Sequence, residues 1–338
     1  MPVMLTFHDS QYPSQVAAQL RHGLRTKRLP GKFLYESPAQ AQRWLAYHQA
    51  YSPSRTEPDL LALYQQSFQV ALQAVPATSL HYISLGCGGG TKDTLFLQQA
   101  VLQSKSVCFT PMDTSAALVV ETMLRLQGTL PDLPSFPLVA DLEVEPDLTA
   151  FLEQSEPPAT QRLLGCFGML PNFDYRTFLP YLRRLMRPTD LLLLSANLSP
   201  LPYPASNPHI VPQYDNPLAR AWFGGLLESL GFSASDVDLC IAAQALQPDG
   251  HVWQICTDVR FPRQVHLTLH NESFVFHAGE QLRLFFSNRF TPQVMPQVLA
   301  EAGLTMVETF LLASQEEGIY LCTASAEIPR ASDKQIGT

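Results

Sequence analysis

The run Ile83-Ser84-Leu85-Gly86-Cys87-Gly88-Gly89-Gly90-Thr91-Lys92 is where residue types and spacing first suggest chemistry. An apolar stretch ends in glycines, and a helix-forming stretch follows. Glycines there permit a tight turn and let a ligand approach the backbone at the next helix N-terminus. Two acids stand at matching places further on. Asp113 ends the run Ser106–Met112, where a carboxylate can accept both hydroxyls of a ribose. Asp141-Leu142 ends the run Phe136–Ala140, where an acid can take an adenine amino group while the leucine packs on the ring. Each aspartate alone would also suit a helix N-cap; their order along the chain favours a nucleoside site. Lys92, in the first turn after the glycines, could pair with the methionine carboxylate of S-adenosylmethionine. A dinucleotide is disfavoured because Thr91 replaces the third glycine of the usual fingerprint.

These residues need strands that end together. Strand patterns over 81–85, 106–112, 136–140, 162–167 and 190–196 alternate with helical patterns over 91–103, 115–127 and 175–186. That alternation predicts βαβ units and a parallel, doubly wound sheet. A helix over 291–302 and a hairpin over 306–324 close the chain. Between 200 and 285 a proline-rich connector leads to a helix near 218–230 and half-exposed antiparallel strands. The expectation is an α/β protein: a Rossmann-like domain over 62–200 plus 303–326, and a smaller α+β substrate or lid domain over 1–61 plus 201–302. Residues 327–338 read as a disordered tail.

The composition narrows the partners. At 338 residues, 46% hydrophobic and 15% charged, the chain is globular. A net charge of −8 and a pI near 5.6 argue against nucleic acid and anionic membranes as partners. No signal peptide or membrane span is visible, and the six scattered cysteines form no Cys-x-x-Cys pair, so reduced thiols in a cytoplasmic protein are expected. His209, His251, His266, His270 and His277 lack metal-site spacing, and no metal is expected.

The motifs, in order, resemble those of the S-adenosylmethionine-dependent histidine Nα-methyltransferases of ergothioneine biosynthesis. The resemblance spans roughly residues 30 to 325. Leu85–Lys92 looks like the family's glycine loop with its lysine, Pro111-Met112-Asp113-Thr114-Ser115 like its P-x-D-x-S segment, and Val139–Leu142 like its adenine-binding segment. Gly168-Met169-Leu170-Pro171-Asn172-Phe173 matches a segment ending in a substrate-binding asparagine. Gln213-Tyr214-Asp215-Asn216 matches a Tyr-Asp element, and Tyr51–Glu57 a substrate-side segment. The resemblance implies S-adenosylmethionine as cofactor, on Gly86, Gly88, Lys92, Asp113, Asp141 and Leu142. It implies that Asn172 and Tyr214 hold an amino-acid carboxylate, with Tyr51 nearby and Tyr35 facing the pocket.

One departure bears on substrate. Leu282–Phe290 is similar to the segment whose glutamate and serine grip an imidazole; Ser287 matches the serine, but Phe285 stands in place of the glutamate. An imidazole N–H there would lose its partner, at a cost of roughly 1–3 kcal/mol. The expected acceptor is therefore the α-amino group of an amino acid or derivative with an apolar or aromatic side chain. Tyr214, Asp215 or a water is expected to take the amine proton. A non-catalytic cofactor-binding homologue, or a methyltransferase for oxygen or sulfur, are the alternatives; a monomer or weak homodimer is expected.

Overall fold

The computed structural model describes residues 3–51, 58–103, 105–155, 160–269 and 271–325. The expected tail, His270 and residues 52–57 lie outside the described residues. The chain opens with β1 (Thr6–Phe7), α1 (Pro13–Thr26), α2 (Pro38–Tyr51) and α3 (Pro58–Gln73). The alternation then runs β2 (Ser79–Leu85), α4 (Thr91–Leu102), β3 (Ser106–Asp113), α5 (Ala116–Thr129), β4 (Leu138–Val139) and α6 (Thr149–Gln154). It continues through β5 (Gln161–Cys166), α7 (Tyr175–Leu185) and β6 (Leu191–Asn197). Next come α8 (Pro217–Leu230), β7 (Asp238–Ala245), β8 (Val252–Arg260), β9 (Val265–Leu269), β10 (Glu272–Phe276) and β11 (Gln281–Phe290). Finally α9 (Met295–Glu301) leads to the hairpin of β12 (Leu304–Leu311) and β13 (Glu317–Ala324).

Eight strands form one sheet in the order β1-β4-β3-β2-β5-β6-β13-β12. It is parallel from β1 to β6, and antiparallel where β13 meets β6 and β12 meets β13. The strand–helix alternation starts at β2, moves outward through β3 and β4, and returns to β5 on the other side of β2. Their carboxyl ends therefore diverge at a topological switch point, where open α/β sheets bind ligands. The leucine run in β6 shows why the sheet is buried on both faces. Leu192 and Leu194 pack into the core with α7 and α9, whereas Leu191 and Leu193 pack into the core with α3 and α4.

Two expected elements are shorter than their patterns. Strand β4 is two residues long because Pro134 and Pro137 cannot donate to a ladder. Helix α9 begins at Met295, with Pro296 in its first turn, where a missing N–H costs nothing.

The remaining strands lie outside the large sheet. β11, β8 and β7 form an antiparallel three-stranded sheet, and β9 pairs with β10. Together with α8 and residues from the first fifty positions they share one core, including Leu24, Phe33, Leu34, Trp222, Phe223, Trp253 and Phe285. Gln40 and Trp222 tie the N-terminal segment to α8: Gln40 Nε2 donates to the Trp222 carbonyl at 3.1 Å, and Trp222 Nε1 to the Leu34 carbonyl at 2.7 Å. Strand β1 lies at the far edge of the large sheet, beside β4.

Candidate active site

The glycine loop follows β2 at the switch point. Gly86, Gly88 and Gly90 have φ of 73°, 54° and 67°, a region that a side chain makes unfavourable. The backbone N–H groups of Gly86 and Cys87 both donate to the Met112 carbonyl, each at 2.9 Å, which folds the loop back over the end of β3. A Cβ at Gly90 would lie 2.7 Å from Thr122 Cγ2 and 3.0 Å from Thr122 Cα, so the loop also needs glycine to meet α5.

Asp113 closes β3 directly beneath this loop. Its Oδ2 accepts the Gly88 N–H at 3.0 Å and its Oδ1 accepts the Ser115 N–H at 2.9 Å. Burial pushes its carboxyl up to about 6, against the lowering effect of these backbone N–H groups. Asp141 is 2% exposed; its Oδ1 accepts the Glu143 N–H at 3.0 Å. Lys32 Nζ stands 3.3 Å from Asp141 Oδ2, but off hydrogen-bond geometry, so that oxygen is left without a hydrogen-bond donor. Lys92 Nζ donates to Tyr64 Oη at 2.8 Å, and that hydroxyl donates to Glu317 Oε1 at 2.5 Å.

All of these surround one cleft of about 270 Å³. It is lined by Gly86, Gly88, Lys92, Asp113, Asp141 and Leu142, and also by Tyr51, Asn172, Tyr214 and Phe285. Tyr35 lines it too, between Trp44 and Trp222 with ring centroids 5.7 and 5.4 Å away, and burial pushes its phenol far above the ordinary tyrosine range. Phe285 lies among the rings of Tyr214, Trp222 and Phe223, at 6.0, 5.7 and 5.6 Å. The Asn172 segment is held from β11, where Asn288 Nδ2 donates to the Phe173 carbonyl at 2.8 Å.

Two sequence-predicted residues stand apart from the cleft. Ser287 is fully buried behind the wall, its Oγ 3.0 Å from Tyr214 Oη. Asp215 does not line the cleft; its Oδ1 pairs with Arg220 Nε at 2.6 Å and its side chain is 39% exposed. The adjacent Tyr214 turns inward, so one turn sends the two side chains opposite ways.

Comparison with known proteins places this architecture. A model of the histidine-specific, S-adenosylmethionine-dependent methyltransferases matches residues 16–324. The chain belongs to that family. No curated protein matches it in sequence. Among solved structures, the CcbJ methyltransferase of Streptomyces caelestis is 12% identical, with a TM-score of 0.40, covering 78% of this chain and 90% of that one. The magnesium protoporphyrin IX methyltransferase of Synechocystis, with bound S-adenosylhomocysteine, is 12% identical with a TM-score of 0.42, covering 87% and 97%. The 1,6-didemethyltoxoflavin-N1-methyltransferase of Burkholderia thailandensis is 13% identical with a TM-score of 0.40, covering 85% and 88%.

The protein is thus an S-adenosylmethionine-dependent methyltransferase with a Rossmann-like class I sheet. Its cleft suits the adenosyl group on chemical grounds. Asp141 Oδ2 is a buried acceptor with no donor, of the kind an exocyclic amino group satisfies, and each Asp113 oxygen retains a lone pair after its backbone contact. Among the described residues, no cluster of three or more His, Cys, Asp or Glu could hold a metal ion. No described helix is long and apolar enough to cross a membrane.

Among the polar cleft residues that the sequence reading does not single out are two buried cations. Lys32 comes from the N-terminal segment and is 4% exposed beside Asp141. Arg289 lines the cleft and is 3% exposed. Strand periodicity could have found Arg289: Phe285, Ser287 and Arg289 alternate along β11 and share one face. Nothing in the local sequence singles out Lys32.

Proposed function

We propose that this methyltransferase acts on the α-amino group of an amino acid, or a close derivative, whose side chain is apolar or aromatic. The observation that carries this reading is the environment of Phe285, a ring packed among Tyr214, Trp222 and Phe223 where an imidazole would need a carboxylate. Asn172 and Tyr214, which also line the cleft, are suited to hold the acceptor's carboxylate, with Tyr51 lining it too. Among the other lining residues, Asp113 suits the ribose hydroxyls, Asp141 and Leu142 the adenine, and Lys92 the methionine carboxylate.

S-adenosylmethionine supplies an electrophilic sulfonium methyl when bound. In-line displacement at that carbon asks the protein mainly for alignment and for exclusion of water. The aromatic wall of Tyr35, Trp44, Tyr47 and Trp222 serves the second need, since Tyr47 and Trp222 stack at 5.7 Å with only 14° between their planes. The amine must also be neutral before it attacks. With Asp215 engaged by Arg220 outside the cleft, Tyr214 and water remain as acceptors of its proton.

Methyl transfer from labelled S-adenosylmethionine to a panel containing phenylalanine, tryptophan, leucine and histidine tests the reading. Methylation on the α-nitrogen of an apolar or aromatic member is expected. Tight binding of histidine by isothermal titration, with preferential methylation of it, would refute the side-chain assignment.

A further inference from the structure

Among the described residues, Arg289 is a buried cation without an anion. Arginine is rarely this inaccessible unless it is paired, because a guanidinium removed from water needs a compensating charge or a full set of acceptors. The same strand supplies the contrast. Arg283 is neutralised by Asp258, to which both its Nε and its Nη2 donate. Arg289 instead donates through Nη1 to Ser287 Oγ at 3.2 Å and to the Asn288 carbonyl at 3.3 Å, and through Nη2 to Tyr214 Oη at 2.7 Å. These acceptors are neutral. Among the described residues no carboxylate comes within ion-pair distance of it, and its Nε hydrogen and second Nη2 hydrogen have no protein acceptor. The side chain faces the cleft between Tyr214 and Phe285.

We propose that Arg289 is the charged anchor for the carboxylate of the methyl acceptor and makes that carboxylate a requirement for tight binding. This rests on the substrate reading above and deepens it. A planar guanidinium pairs with a carboxylate through two adjacent donors, and Arg289 has Nε and one Nη2 hydrogen left for such a partner. Ser287 and the Asn288 carbonyl fix the other edge of the fork, which makes Ser287 a positioning residue instead of a substrate contact. Tyr214 sits on the guanidinium, with Arg289 Cζ 5.2 Å from its ring centroid, and turns its hydroxyl toward the same place. An oxyanion there would complete the pairing that the protein alone leaves open.

The test uses the full chain saturated with S-adenosylhomocysteine and three probes of one shape: phenylalanine, 3-phenylpropanoate and phenethylamine. Isothermal titration should show both carboxylates binding, with phenethylamine weaker by about 10- to 100-fold, the range expected of charge-assisted contacts. Arg289→Gln should weaken both carboxylates by a similar factor and leave phenethylamine and S-adenosylhomocysteine unchanged. Arg289→Lys, which keeps the charge but not the fork, should retain part of the acid preference. If the glutamine variant does not fold, the native protein and the lysine variant decide. The proposal is overturned if phenethylamine binds the native protein as well as phenylalanine does, if neither carboxylate binds, or if the substitutions weaken all three probes equally. Failure of the amine reading is separable: 3-phenylpropanoate would still bind through Arg289, while labelled methyl would not reach phenylalanine.

Discussion

Asp113 should make cofactor affinity depend on pH in a range where most carboxylates are already ionised. Burial raises its carboxyl to about 6, so the ligand-free protein holds a proton there that an exposed aspartate would have lost. On the proposed reading, ribose hydroxyls donate to the ionised form, and the cofactor must bind against that proton. From this value, about nine-tenths of the ligand-free protein is protonated at pH 5, and affinity for S-adenosylhomocysteine should be about tenfold weaker than at pH 7.5, or about 1.4 kcal/mol. The linked effect on stability has a definite sign. The folded pKa lies above the ordinary value of 3.8, so the folded state binds the proton more tightly than the unfolded chain. This group's contribution to stability is greatest below pH 4. It is lost as pH rises toward 6, by about 3 kcal/mol in all, and stays lost above that.

The assay is isothermal titration of the native protein and Asp113→Asn with S-adenosylhomocysteine between pH 5 and 8. Asp93, pushed to about 6 by burial, and Glu143, pushed to about 7 by loss of hydration and by Asp141, also line the cleft, so the difference between the two proteins isolates Asp113. An asparagine amide would also face one of the two backbone N–H groups of Gly88 and Ser115 with a donor, leaving a buried contact unmade at about 1–3 kcal/mol. Asp113→Asn should therefore bind about a hundredfold more weakly at pH 7.5, and without the native pH dependence. A native affinity that is flat from pH 5 to 8, or an Asp113→Asn variant that keeps the slope, would refute the reasoning.

Gly90→Ala should lower stability by about 2 kcal/mol or more in thermal melts, since a positive φ and a contact 3.0 Å from the Thr122 Cα act together; an unchanged melting temperature would contradict this. Lys32→Met leaves Asp141 buried with its charge uncompensated, and denaturant titration should show a loss of about 3–5 kcal/mol, whereas a loss below 1 kcal/mol would mean the pair is not closed in solution. Asp215→Asn should leave the rate of methyl transfer within about twofold, because an exposed pair such as Asp215–Arg220 contributes little and lies off the cleft; a hundredfold loss would return Asp215 to catalysis.

The cofactor half of the site was legible because its information is local. A glycine run after one strand and an acid at the end of each of the next two are each written at their own strand end, and the parallel sheet brings strand ends together by construction. The rest of the cleft draws on long-range contacts. Arg289 reaches Tyr214 across 75 residues, and Lys32 reaches Asp141 from a segment with no periodic signal. Asp215 shows the opposite failure. It shares a motif with Tyr214, but a motif fixes order along the chain and not side-chain direction, and the turn before α8 sends Asp215 outward. Ser287 matched its motif too, yet its hydroxyl faces Arg289 and Tyr214 behind the wall.

The aromatic wall and the lone guanidinium together predict how selective the enzyme should be. A site that recognises a side chain by hydrogen bonds rejects an analogue lacking the partner by about 10⁴-fold or more, because its own polar groups are then stranded. Phe285 packs among rings on the cleft side, and Ser287 Oγ and Tyr214 Oη bond to each other and to Arg289. Side chains there are distinguished by volume and shape, where one methylene is worth only about 10- to 200-fold. The kcat/KM values for phenylalanine, tryptophan and leucine should therefore form a graded series within about three orders of magnitude, with acidic and basic amino acids well below it. A pocket that accepted one of these three and excluded the others by 10⁴-fold or more would need a polar discriminator that this wall does not contain, and the reading built on Phe285 would have to be abandoned.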